Sequence, residues 1–118
     1  MNMRASIIES LEKTNEDGCF RFCFSKSDAV FAGHFPDRPI LPGVFQIEMA
    51  RVLAEKVLSD ALQVREVARA KFLRPILPEE KITARLKLAE TGRGIEARAK
   101  FSVEENLAGE IILWLGRV

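Results

Sequence analysis

The chain has 118 residues, 47% of them hydrophobic and 30% charged, and a formal net charge of +1. That length holds one domain with a single core, residues 1–118, and the balanced charge supplies neither the basic field of a nucleic-acid binder nor a patch for a membrane surface. No apolar run approaches the roughly 20 residues that span a bilayer, and MNMRASIIES lacks the long apolar segment of a secretory signal, so a cytoplasmic address is expected.

In chain order, residues 4–13 are predicted as a first strand, with Glu16-Asp17-Gly18 as the turn after it. Phe20, Phe22 and Phe24 then alternate with Cys19, Arg21 and Cys23, the pattern of a half-buried strand. Two such runs joined by a short turn predict a hairpin. On one strand the two cysteines stand roughly 13 Å apart at ~3.3 Å per residue, beyond the ~7 Å that a disulfide allows, so both are expected as thiols. Residues 27–31 carry a weak helical-turn signal.

A helix is predicted from Pro42-Gly43 to about Ser59. Proline suits a helix start because its missing N–H would have no partner there. Val44, Phe45, Ile47, Met49, Ala50, Val52, Leu53 and Ala54 cover nearly the whole circumference, which predicts an enclosed helix rather than a surface one. Residues 64–74 return to a strand pattern, followed by a loop through Pro75 and Pro78. Ile82, Ala84, Leu86 and Leu88 alternate with polar residues, Thr91-Gly92-Arg93-Gly94 marks a hairpin turn, and Ile95, Ala97, Ala99, Phe101 and Val103 alternate again. After a turn at Glu104-Glu105-Asn106, the continuous run Ile111 to Leu115 predicts a strand covered on both faces. One enclosed helix and about six antiparallel strands give an α+β architecture, a sheet wrapped around a helix.

The stretch FAGHFPDRPILPGVFQIE concentrates the chemistry. It holds the only histidine, His34, then three prolines that stiffen the approach to Gly43, then one carboxylate, Glu48, within the apolar helix. An imidazole before a buried helix and a carboxylate inside it form a candidate acid/base pair. Glu48 has a plainer alternative, a salt bridge to Arg51 three residues on. One histidine and no cysteine cluster argue against a metal site, and no cofactor is expected.

The block Gly33-His34-Phe35-Pro36-x-x-Pro39-Ile40-x-Pro42-Gly43-Val44, with Glu48 fourteen residues after the histidine, resembles the active-site signature of the hotdog-fold 3-hydroxyacyl-acyl carrier protein dehydratases. Ala70-Lys71-Phe72-Leu73-Arg74-Pro75-Ile76-x-Pro78 and the Gly92-Arg93-Gly94 turn are similar to that family too, so the resemblance runs over residues 18–115. It implies a hotdog fold, a long central helix wrapped by the sheet, and a homodimer, or an assembly of dimers, in which His34 of one subunit meets Glu48 of the other. Glutamate at 48 is similar to the branch that dehydrates without isomerising. Two features depart from the family: its longer members carry an N-terminal Pro-His-Arg-Tyr-Pro run that this chain lacks, and Val52 stands where they have a glutamine. The short form is more similar to dehydratases of specialised polyene or polyketide-type pathways.

Dehydration removes a C2 proton and expels the C3 hydroxyl of a 3-hydroxyacyl thioester. His34 is the expected base. Glu48, kept neutral by an apolar wall, is the expected acid, directly or through a water. The Gly43 N–H at the start of the helix is the expected donor to the thioester oxygen. Phe35, Pro42, Val44, Phe45, Phe72 and Ile76 are expected to bind substrate, and Arg65, Arg69, Lys71 and Arg74 to meet an acidic carrier protein. The competing readings are a hotdog thioesterase, which uses a helix carboxylate without the Gly-His-Phe-Pro block, and a non-catalytic acyl-binding homologue.

Overall fold

The alternating apolar residues of the C-terminal half decide the architecture, because their period of two leaves one greasy face that needs a cover. The structure is a computed structural model that describes residues 3–12, 17–31 and 39–118. Helix α1 (Met3–Ser10) leads into the two-residue strand β1 (Leu11–Glu12). Strand β2 (Cys19–Cys23), a single 3-10 turn at Ala29–Phe31, and helix α2 (Gly43–Leu58) follow. Strands β3 (Leu62–Phe72), β4 (Lys81–Thr91), β5 (Gly94–Val103) and β6 (Asn106–Arg117) complete the chain.

The six strands form one antiparallel sheet in the order β1-β2-β4-β5-β6-β3. Register pairs Ile82 with Val103, Ala84 with Phe101 and Leu86 with Ala99, so the apolar sets of β4 and β5 share a face. That face is buried, with Ala84, Ala97 and Phe101 fully so. Helix α2 lies against β3, β4, β5 and β6, and Phe45, Met49 and Leu53 carry its contribution to the core. The alanines of the sheet leave depth for those larger side chains, as close packing demands. Phe24 closes one end, its ring edge-on to Phe45 at 5.5 Å between centroids. Among the described residues no helix is long and apolar enough to cross a membrane.

Three expectations change. Residues 4–13 are mostly helix, not strand: α1 buries Ile7 against the core, and only Leu11 and Glu12 reach β2, opposite Phe22 and Arg21. Helix α2 is not enclosed all round, since Val44 is 61% and Val57 50% exposed; the sheet covers one side of it in the single chain. Strand β6 is likewise buried on one face, Ile111, Leu113 and Leu115, while Ile112 and Trp114 are only partly covered. Arg93 of the β4–β5 hairpin supplies part of that cover, its guanidinium 4.5 Å from the Trp114 ring centre. Both cysteines are free thiols, Cys19 buried and Cys23 partly so.

Strand β3 is the long edge of the sheet. Of its eleven residues only Leu62 is buried, and Val67 and Phe72 are each about half exposed. Its register against β6 shifts twice, between Val64 and Glu66 and between Val67 and Arg69. Bulges of this kind twist an edge and re-aim its side chains.

Candidate active site

The start of α2 is fixed by its sequence. Pro42 is extended (φ −63°, ψ 144°) and caps the helix without a side-chain hydrogen bond. The Phe45 N–H donates to the Pro42 carbonyl at 3.0 Å, which leaves the Gly43 and Val44 N–H groups without an intrahelical acceptor. These donors stand at the positive end of a 16-residue helix. The approach to them is held on both sides: Leu41 N–H donates to the Ile76 carbonyl at 2.8 Å, and Leu73 N–H to the Ala108 carbonyl at 2.8 Å.

Between these segments lies a cavity of about 300 Å³ lined by Ile40, Leu41, Gly43, Gln46, Phe72, Leu73, Arg74 and Pro75. The Phe72 ring lies directly across Gly43: a Cβ at that position would stand 2.7 Å from Phe72 Cζ. Glycine is what lets an aromatic ring, or a ligand in its place, approach the helix backbone this closely.

Glu48 lies farther along α2, on the side away from Gln46 at 100° per residue, and does not line this cavity. Its carboxylate is partly exposed and is held by Arg51, whose Nε donates to Oε1 at 2.9 Å and whose Nη2 engages the same oxygen. Among the described residues it is a guanidinium, and not the expected apolar wall, that stands beside it. Both contacts fall on Oε1, and among the described residues Oε2 has no hydrogen-bond partner. Arg51 is itself anchored, with Nη1 3.0 Å from the Leu62 carbonyl and 2.9 Å from Glu55 Oε2. The hydrogen bond to Glu48 raises the Arg51 pKa against the opposing effect of burial, with the charges of Glu48 and Glu55 adding to it.

Glu55 completes the array. It accepts the Leu62 N–H at 2.8 Å and also pairs with Arg4 of α1. Burial pushes its carboxyl up, but the Leu62 N–H and the charges of Arg51 and Arg4 together hold it below the usual carboxylate range. A carboxyl whose folded pKa is depressed stabilises the fold above its unfolded value, near 4.5, and the contribution is lost as pH falls through the folded value. Glu55→Gln should thus lower the denaturant midpoint at pH 7 and flatten its decline on acidification below about pH 4.5. Parallel acid slopes for wild type and variant would refute this.

The other residues singled out by sequence fall as follows. His34 and Phe35 lie outside the described residues. Pro42 and Val44 flank Gly43, and Phe72 lines the cavity. Phe45 and Ile76, each 1% exposed, belong to the core and not to the cavity wall. The Arg65 guanidinium packs against Gly116, Arg69 faces Glu110 at 3.5 Å and Arg74 faces Glu80 at 3.8 Å, so three of the four expected carrier-protein cations have neighbours within the chain; Arg65, Arg69 and Lys71 are exposed and Arg74 partly so. Gln46 was not anticipated, although its place one turn after Gly43 puts it on nearly the same helix face. Among the described residues no three His, Cys, Asp or Glu side chains converge as metal ligands do.

A helix laid across a six-stranded antiparallel sheet in this order is the hotdog fold. Within that class, the profile of the ApeI-like dehydratases matches residues 10–110, and the chain belongs to that family. A curated relative, the 3-hydroxyacyl-acyl-carrier-protein dehydratase FabZ of Sulfurovum sp. (strain NBC37-1), is 30% identical over 100 residues, 73% of this chain. The matched span covers 67% of that protein and 60% of its counterpart in Polynucleobacter asymbioticus, which is 36% identical over 72% of this chain. The chain thus spans about two thirds or less of the length of the curated relatives it matches. Among solved structures, the dehydratase heterocomplex ApeI:P of Xenorhabdus doucetiae superposes with a TM-score of 0.75 at 22% identity, covering 84% of this chain and 86% of that one. At that identity the likeness speaks for the fold.

Proposed function

We propose that the protein dehydrates a 3-hydroxyacyl thioester to a trans-2-enoyl thioester. The observation that carries this reading is the Gly43 N–H at the head of α2, which has no acceptor among the described residues and opens onto a mostly apolar cavity. Glu48 lies on the same helix, on the side that faces away from that cavity. Membership of a dehydratase family supports it. The thioester oxygen accepts from the Gly43 N–H, which stabilises the charge that develops there when C2 loses its proton. His34 takes that proton, the C2 electrons form the new double bond, and the C3–O bond breaks. Glu48 enters the step in its acid form, with the proton on Oε2, the oxygen that Arg51 does not engage. It gives that proton to the C3 oxygen, directly or through a water, and the oxygen leaves as water. The proton held by His34 returns to Glu48 through solvent before the next turnover.

In this reading the acyl group arrives on acyl carrier protein in the cytoplasm, during fatty-acid or polyene and polyketide-type synthesis. Arg65, Arg69, Lys71 and Arg74 on and beyond β3 would meet the acidic carrier. The long edge of β3, which pairs only with β6 among the described residues, supports a homodimer in which a second copy continues the sheet and brings its His34 to Glu48. The named substrate of the FabZ relatives is consistent with this assignment.

The test is to incubate the purified protein with 3-hydroxyacyl thioesters of several chain lengths and follow product masses. Loss of one water is the expected result. Free acid and thiol would instead make the chain a thioesterase, and an unchanged substrate across carrier and pantetheine forms would leave only a binding role.

A further inference from the structure

Gln46 is the one polar side chain among the described residues that is buried, at 2% exposure, and its Oε1 has no hydrogen-bond partner among them. It lies one turn beyond Gly43 and lines the same cavity. The sheet makes room for it: a Cβ on Gly109 of β6 would stand 2.0 Å from Gln46 Oε1, and Gly109 pairs in register with Phe72. Two glycines therefore make room beside these side chains, Gly43 in the cavity wall under the Phe72 ring and Gly109 behind it under the Gln46 carboxamide.

A buried acceptor without a donor costs stability, and an apolar side chain of the same shape would remove that cost. Methionine or leucine at 46 would continue the surrounding hydrocarbon and leave no buried acceptor to satisfy. A carboxamide in this place makes physical sense when a ligand supplies the donor, since the side chain has only to swing from Gly109 into the cavity it already lines. Residues three apart on a helix stand roughly 5–6 Å apart at their Cβ positions, so such a donor would meet Gln46 about one turn from the Gly43 N–H. Glu48 is on a different side of the helix, so this donor is distinct from the 3-hydroxyl that Glu48 serves.

We propose that Gln46 is a specificity-determining residue whose amide oxygen accepts a hydrogen bond from a hydroxyl or N–H carried by the acyl group beyond its reacting carbons. The preferred substrates are acyl thioesters polar in that stretch of the chain, and plain alkyl chains leave the carboxamide unpaired. The inference rests on reading the cavity as the acyl site, and its test does not depend on dehydration.

Pantetheine amides of hexanoic acid and of its 4-, 5- and 6-hydroxy derivatives have no 3-hydroxyl to eliminate. Their affinities are measured by calorimetry for the wild-type protein and for Gln46→Met and Gln46→Leu. At least one hydroxylated analogue should bind wild type about tenfold more tightly than hexanoyl. Both variants should lose that advantage while melting at or above the wild-type temperature. Equal affinities across the series, a preference that survives both substitutions, or no binding of any analogue would overturn the proposal. A preference that holds while 3-hydroxyacyl thioesters lose no water would retain Gln46 as an acyl selector and remove the dehydratase reading alone.

Discussion

Glu48→Gln should fold normally and lose about 10³-fold or more in turnover of a 3-hydroxyacyl thioester, with little change in KM. Glutamine keeps the length of the side chain and offers Arg51 an oxygen at the same place, so the Arg51 contacts with Leu62 and Glu55 persist. What it lacks is an oxygen through which a proton passes, and only the chemical step should suffer. His34→Ala should cost as much for the complementary reason. If the site is shared between subunits, mixing the two inactive proteins under exchange should restore about a quarter of the wild-type activity, because half of the random dimers then carry one intact His34–Glu48 pair. A mixture that stays inactive would place both residues in one chain. Turnover by Glu48→Gln within a few-fold of wild type would remove the proton role altogether.

Gly43→Ala is the second substitution with a large expected effect. One methyl group there would stand 2.7 Å from Cζ and 2.8 Å from Cε2 of Phe72, well inside contact distance. Phe72 is half exposed at the end of β3, so its ring has room to move and the fold should survive. The methyl would still occupy the approach to the helix N–H groups and push the thioester oxygen off its donor, which costs about 10²–10³ in kcat/KM when such a donor is lost. The double variant Gly43→Ala with Phe72→Ala, measured against Phe72→Ala alone, separates the two effects. Relief of the ring clash should restore thermal stability and leave the kinetic loss in place. Recovery of kcat/KM in the double variant would make Gly43 a packing glycine and nothing more.

Much of this architecture follows from local pattern, and the rest depends on distant partners. The hairpin β4–β5 was legible because each residue of one parity had to be buried, and Ile82 to Val103 obey that rule in register. The start of α2 was legible because Pro42-Gly43 leaves the chain few other conformations. Residues 4–13 misled because Ile7, Ile8 and Leu11 suit a strand as well as a helix; packing of α1 on α2 and the Arg4–Glu55 pair settle the matter. The pairing of Glu48 with Arg51 is local and was an open alternative, yet what holds Arg51 in place is the carbonyl of Leu62 on another element. Gln46 and Gly109 are 63 positions apart, and no local signal links an amide on a helix to a missing Cβ on a strand. His34, the residue most prominent in the sequence, lies outside the described residues.

The open edge of β3 has a further consequence during synthesis and folding. Eleven residues of extended backbone, with Val67 and Phe72 half exposed, form a template onto which any free strand in a crowded cell could align. Arg65, Glu66, Arg69 and Lys71 interrupt that template with charge, and the two register shifts bend it away from flatness. Such residues act as gatekeepers against aggregation. Neutralising them in the hope of a tighter assembly would therefore be expected to yield insoluble protein before it yielded a better dimer.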